Sequence, residues 1–158
     1  MKNVIDSDFV PKRATTFSAG YDIYSVEDIT LKPGEWTLID TGIQFEDTDR
    51  FVLTSLVGDY DNPSGRPMRT FSVPMQYVGM IFPRSSYGFK YGLRFANSVC
   101  IIDQDYRNNI LLKVKVDEEL ELKKGDRFAQ MIFLPWLAYS GESKIETERD
   151  GGVGSSGQ

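Results

Sequence analysis

The stretch Asp103-Gln104-Asp105-Tyr106-Arg107 gathers two carboxylates, a phenol and a guanidinium in one short run. A carboxylate placed there can orient and deprotonate a water for attack on an electrophile. The chain has no histidine. Imidazole-based triads are therefore excluded, and a structural zinc site is disfavoured. Proton transfer near neutral pH falls to carboxylates, Lys, Tyr or metal-bound water. Three further segments carry chemistry: Ala19-Gly20-Tyr21-Asp22, Pro83-Arg84-Ser85-Ser86, and Gly125-Asp126-Arg127-Phe128-Ala129-Gln130. The chain closes on Arg149-Asp150-Gly151-Gly152-Val153-Gly154-Ser155-Ser156-Gly157-Gln158. That tail has few side chains to bury, and glycine loses the most backbone entropy on ordering. Its amides, two hydroxyls and guanidinium suit a polyphosphate. Taken singly, each segment also has a plain structural explanation. Gly-Asp pairs make turns, Arg-Ser pairs end strands, Asp-Gln-Asp forms a solvated loop, and a Gly/Ser run forms a loose tail.

The elements that must position these groups read as short strands. Trp36–Ile43 follows a Pro33-Gly34 turn, and Tyr77–Phe82 stops at Pro83. Ile110–Val116 places Leu112, Val114 and Val116 on one face, and Arg127–Leu134 follows a Lys124-Gly125-Asp126 turn. Period-two runs punctuated by Gly, Pro, Asn and Asp predict an all-β antiparallel sandwich or barrel. No long stretch has helical period, and one short helical turn is expected over Ser85–Phe89. The turn-rich run Gly58–Pro67 is expected to tip a hairpin between Phe51–Leu56 and Met68–Val73.

With 158 residues, the chain favours one domain with a sizeable core. That domain is expected over 1–148, followed by a flexible tail over 149–158. Cys100 is the only cysteine, so no intrachain disulfide can form, and a reducing compartment fits. No apolar run is long enough for a membrane-spanning helix, and the first residues lack a signal-peptide core. The net charge of −5 argues against a general nucleic-acid binder. An anionic small ligand is compatible with that charge if cations and a metal are concentrated locally.

In chain order, Ala19–Asp22, Pro83–Ser86, Asn97–Arg107, Gly125–Gln130 and the tail resemble the five motifs of the homotrimeric dUTPase family. The resemblance covers the chain from about 19 to 157. It implies a distorted jelly roll, hydrolysis of dUTP to dUMP and pyrophosphate, a Mg²⁺ cofactor, a homotrimer and a cytoplasmic setting in a bacterium or phage-infected cell. It also implies three sites at subunit interfaces, each closed by a neighbour's tail. By this resemblance Asp103 is the general base that activates water for in-line attack on the α-phosphorus. Tyr106 packs on the deoxyribose and leaves no room for a 2′-hydroxyl. Asn97 and the backbone of Val99–Ile102 read uracil. Arg84, Ser85, Ser86 and Gln130 contact phosphates, and Arg149, Ser155 and Ser156 clamp them from the adjacent subunit. Asp22 lies near the triphosphate and acts on Mg²⁺ indirectly, through water. The metal itself is held mainly by phosphate oxygens and waters.

The chain departs from the family pattern at several places. Ser86, Cys100 and Asn108 stand where glycine is usual. Val153 stands where an aromatic usually stacks over the base, so either that contact is absent or another ring such as Tyr91 supplies it. Extra residues over about 46–72 form an expected inserted hairpin and a candidate surface for a protein partner. Two rival readings accompany the resemblance: a dCTP deaminase-like enzyme on the same fold, and a regulatory binding protein on a dUTPase scaffold.

Overall fold

Alternation of apolar and polar residues dictates strands here, because side chains a residue apart point to opposite faces. The computed structural model describes residues 1–46, 51–56 and 70–143. Strands β1 (Lys2–Asn3), β2 (Lys12–Arg13), β3 (Tyr21–Tyr24), β4 (Ile29–Leu31), β5 (Thr37–Asp40) and β6 (Ile43–Gln44) come first. They are followed by β7 (Phe51–Leu56), β8 (Thr70–Met75) and β9 (Tyr77–Pro83). Helix α1 (Ser85–Tyr91) then precedes β10 (Arg94–Phe95), β11 (Cys100–Asp103), β12 (Leu111–Lys115), β13 (Leu120–Leu122) and β14 (Arg127–Pro135).

The largest sheet has the order β11-β9-β14-β3-β2, and a three-stranded sheet has the order β10-β12-β5. Short pairs β1-β6, β13-β4 and β7-β8 complete the described strands, and every strand pair is antiparallel. The inward residues of these sheets meet in one core. Ile23 and Met131 enter from the large sheet, Ile39, Leu112 and Val114 from the smaller one, and Leu31 and Leu122 from the β13-β4 pair. Val116 is fully buried with Leu112 and Val114, on the face that the sequence alternation assigns them.

Three sequence readings change in detail. The run Trp36–Ile43 is not one strand. Gly42 takes φ 68°, and its N–H donates to Asp40 Oδ1 at 2.8 Å. That turn breaks the run, so β5 joins β12 while β6 crosses to β1. The helical turn expected over Ser85–Phe89 runs on to Tyr91 and ends at Gly92, whose φ of 64° is the left-handed conformation that glycine adopts without a Cβ penalty. The two strands of the expected hairpin pair with Phe51 opposite Met75 and Leu56 opposite Thr70, two residues later in the second strand than the sequence suggests. Residues 47–50 and 57–69 of the 46–72 excursion lie outside the described residues.

Strand β9 positions the chemistry. On one side Asp103 of β11 lies opposite Val78, and on the other Gln130 of β14 lies opposite Phe82. Pro83 then ends the strand, and Arg84 becomes the N-cap of α1.

Candidate active site

Two groups of candidate residues sit at the two ends of β9. At its far end Asp22, Arg84 and Gln130 come together. Asp22 of β3 lies directly opposite Gln130. The register of β14 slips between Arg127 and Ala129, a bulge of the kind that re-aims side chains beside functional sites. The bulged backbone turns two carbonyls towards Arg84. Arg84 N–H donates to Phe128 O at 3.0 Å, and Arg84 Nη1 donates to Arg127 O at 3.4 Å.

The Asp22 carboxylate, with 9% of its side chain exposed, lies between two guanidiniums. Arg127 Nη1 donates to Oδ2 at 3.1 Å, and Arg84 Nε lies 3.6 Å from Oδ1. A buried carboxylate needs such partners, because an unpaired charge out of water is costly. Sequence reading assigned no role to Arg127. Its place three residues before Gln130, in a strand otherwise apolar on alternate positions, was the available signal.

Gln130 fills the space that Gly20 leaves. A Cβ on Gly20 would lie 2.8 Å from Gln130 Oε1 and 3.2 Å from Gln130 Cβ. Arg84, Ser86, Tyr87, Lys90, Tyr91 and Arg127 line an open cleft of about 580 Å³ with Gly125 and Asp126. Ser85 and Ser86 are exposed in the first turn of α1. Partial burial, then the charge of Asp126, pushes the Tyr87 phenol above its usual range. Cations dominate this cleft, as polyphosphate binding requires. Tyr91 belongs here too, stacked on Tyr87 with ring centroids 6.1 Å apart and with Lys90 Nζ 4.8 Å from its ring centre. It does not line the cleft beside Asp103.

At the near end of β9, Asp103 closes β11 on an exposed turn. Tyr106 N–H donates to Asp103 O at 3.1 Å, and Arg107 Nη1 donates to Gln104 O at 2.6 Å. The Gln104 side chain accepts from Tyr77 N–H at 3.3 Å, tying the turn to the first residue of β9. Asp103, Gln104, Asp105, Arg107 and Trp136 line an open cleft of about 690 Å³ with Gln76, Tyr77 and Val78. Tyr106 is 7% exposed, and its hydroxyl donates to Asn109 O at 3.1 Å.

The turn leading into β11 is tight. Ser98 takes φ 60°, and Val99 N–H donates to Asn97 O at 2.6 Å. Asn97 is exposed there. Cys100 points into the core, and burial pushes its thiol pKa up despite a hydrogen bond from Asn97. β11 is the terminal strand of its sheet, so among the described residues one of its edges has no strand beside it. Backbone N–H and C=O groups on such an edge can pair with a ligand.

The two groups do not meet within one chain. Val78 and Phe82 are four residues apart on β9, about 13 Å at strand rise. Asp103 and Gln130 also lie on opposite sides of β9, about 10 Å across. A carboxylate acting through one water must be within a few ångströms of the reacting atom. Arg149, Val153, Ser155 and Ser156 lie outside the described residues. Among the described residues no cluster of acidic, cysteine or histidine side chains could cage a metal ion. Both oxygens of Asp22 already face guanidiniums. This donor set suits a Mg²⁺ that arrives with phosphate oxygens and keeps its waters.

Comparison with known proteins gives the family. A family model described as dUTPase matches residues 66–157. A deoxyuridine 5′-triphosphate nucleotidohydrolase of Lactococcus lactis is 34% identical over 157 residues, covering 94% of this chain and 87% of that protein. The crystal structure of a dUTPase from Streptococcus mutans superposes with a TM-score of 0.60 at 28% identity, covering 86% of this chain and 92% of that one. A dUTPase variant of phage phi11 of S. aureus, whose structure reveals the coordination of a structural Mg(II) ion, shares the fold with a TM-score of 0.58 at 21% identity, covering 87% of this chain and 90% of that one. The all-β architecture, the matched motifs and the near full-length identity make this chain a member of the dUTPase family.

Proposed function

We propose that this chain hydrolyses dUTP to dUMP and pyrophosphate at sites completed between copies of itself. Family membership supports the reaction. The single observation that carries the assembled site is the separation along β9. Asp103 stands at one end and the phosphate-facing cluster of Arg84 and Gln130 at the other. One copy's Asp103 turn set against another copy's cationic cleft brings both to one substrate, as in a homotrimer.

In that arrangement Asn97 and the backbone of Val99–Ile102 read the uracil. A backbone pattern that pairs with O4 and N3–H rejects cytosine, because the mismatch leaves a buried group unpaired. Tyr106 packs on the deoxyribose where a 2′-hydroxyl would stand. Arg84, Ser85, Ser86 and Gln130 hold the phosphates, and Arg149, Ser155 and Ser156 close over them from a neighbouring tail. Asp103 accepts a proton from the water as its oxygen bonds to the α-phosphorus. The bond from that phosphorus to the bridging oxygen breaks, and pyrophosphate leaves in line. Asp22 would reach a Mg²⁺ only through water, the phosphates supplying the ion's other contacts, and the metal would supply charge neutralisation on the leaving group. The setting is the cytoplasm, where nucleotide pools are met. Among the described residues no helix is long and apolar enough to cross a membrane.

The test is pyrophosphate release from dUTP against dCTP, dTTP and UTP, with and without Mg²⁺. The expected result is Mg²⁺-dependent release from dUTP alone. Ammonia release from dCTP would instead establish the deaminase reading.

A further inference from the structure

Arg127 holds both partners of the phosphate grip. Its side chain takes one oxygen of Asp22 at 3.1 Å, and its carbonyl accepts from Arg84 Nη1 at 3.4 Å. The contacts of Arg84 are looser. Its Nε is 3.6 Å from Asp22, too long for a hydrogen bond, and 30% of its side chain is exposed. The tight partner of Asp22 is therefore Arg127, and Arg84 is steered without being used up. Two guanidiniums and one carboxylate leave the cluster with one net positive charge. Without Arg127, Asp22 and Arg84 would form a closed neutral pair, and the guanidinium would turn from the phosphates to the carboxylate.

We propose that Arg127 is a positioning residue of the triphosphate site, occupying Asp22 so that Arg84 stays aimed into the cleft and free for phosphate. The proposal rests on the dUTPase reading and deepens it. Its chemistry is specific to arginine, whose planar fork holds a carboxylate oxygen in a fixed direction where lysine supplies only a point charge. The β14 bulge fits this role, because it places the Arg127 side chain and carbonyl on the Asp22–Arg84 pair together.

The experiment uses full-length wild type, Arg127→Gln, Asp22→Asn and the double variant, with dUTP hydrolysis and dUMP binding measured on each. Arg127→Gln should raise KM for dUTP at least about tenfold, as expected when a charged contact to phosphate is lost. Affinity for dUMP, which lacks the β- and γ-phosphates, should change little. The diagnostic is the double variant. With the carboxylate also gone, Arg84 has nothing to collapse onto, so KM at saturating Mg²⁺ should fall part of the way back from the Arg127→Gln value, while loss of the water-mediated Asp22 contact to the metal shows in the Mg²⁺ dependence of kcat. A purely structural role would lower the melting temperature and leave the KM pattern unmoved, and a direct phosphate contact would show no recovery in the double variant. Either outcome overturns the proposal. Failure of the parent reading looks different, since wild type itself would then release no pyrophosphate from dUTP.

Discussion

Replacing Gly20 with alanine tests how the phosphate end of the site is built. Gly20 is not among the glycines with positive φ, so alanine carries no backbone strain there. The cost is steric. The new Cβ would lie 2.8 Å from Gln130 Oε1, 3.2 Å from its Cβ and 3.5 Å from its Cδ. The Cβ of Gln130 is fixed by β14, which is paired on both sides, so relief comes from swinging the carboxamide away. An off-rotamer side chain costs about 0.5–1.5 kcal/mol, and the melting temperature should fall by only a few degrees. Losing a contact from the carboxamide to a charged phosphate costs about 1.5–3 kcal/mol. That corresponds to about a ten- to hundredfold drop in kcat/KM for dUTP. Pyrophosphate release gives the rate, and a thermal melt separates it from misfolding. Gln130→Ala alone and combined with Gly20→Ala completes the cycle. If Gly20 acts through Gln130, the combined variant loses no more than Gln130→Ala alone. Near-normal activity of Gly20→Ala, or full additivity with Gln130→Ala, would refute the reasoning.

Asp103→Asn should keep the fold and nucleotide binding while lowering kcat by about 10²–10⁴-fold, the usual worth of a general base. Mixing it with a chain truncated after Glu148 should restore some turnover once subunit exchange is demonstrated, because a mixed site draws base and tail from different copies. Tyr106→Ala should narrow the dUTP over UTP preference in kcat/KM. It should also lower the melting temperature, since the ring is 7% exposed and a buried aromatic truncated to alanine costs about 3–5 kcal/mol. Binding of a non-hydrolysable dUTP analogue separates the two accounts of base stacking. Val153→Phe should tighten it about tenfold if no ring covers the base. Tyr91→Ala should weaken it if that ring does the covering, and no effect from either would sink both.

Local order was the legible part of this chain. Pro83 and the serines after it mark where β9 stops and α1 starts. The alternation in Leu111–Lys115 fixes which face of β12 is buried. Glycine chemistry misled at one local point. Gly42 splits an apparently continuous strand, and its turn depends on the Asp40 side chain as much as on its own φ. The motifs named the candidate residues but not their grouping. That Asp103 lies opposite Val78 while Gln130 lies opposite Phe82 is a matter of register between strands distant in sequence. The Asp22–Arg84–Arg127 cluster was hidden for the same reason, since ion pairs joining β3, the N-cap of α1 and the start of β14 leave no periodic trace.

The division of labour proposed for β9 would have a genetic consequence. A cell carrying one intact and one damaged copy of such a gene would assemble rings of mixed parentage. If a site takes its aspartate from one subunit and its phosphate grip from the next, as proposed, it would work only when both lenders are sound. Damage to Asp103 and damage to Arg84 in separate copies would partly complement each other, since some rings bring the two good halves together. A protein broken at both ends of β9 would still enter rings and spoil its neighbours' sites. Its inheritance would be dominant, whereas a version too damaged to assemble would be recessive.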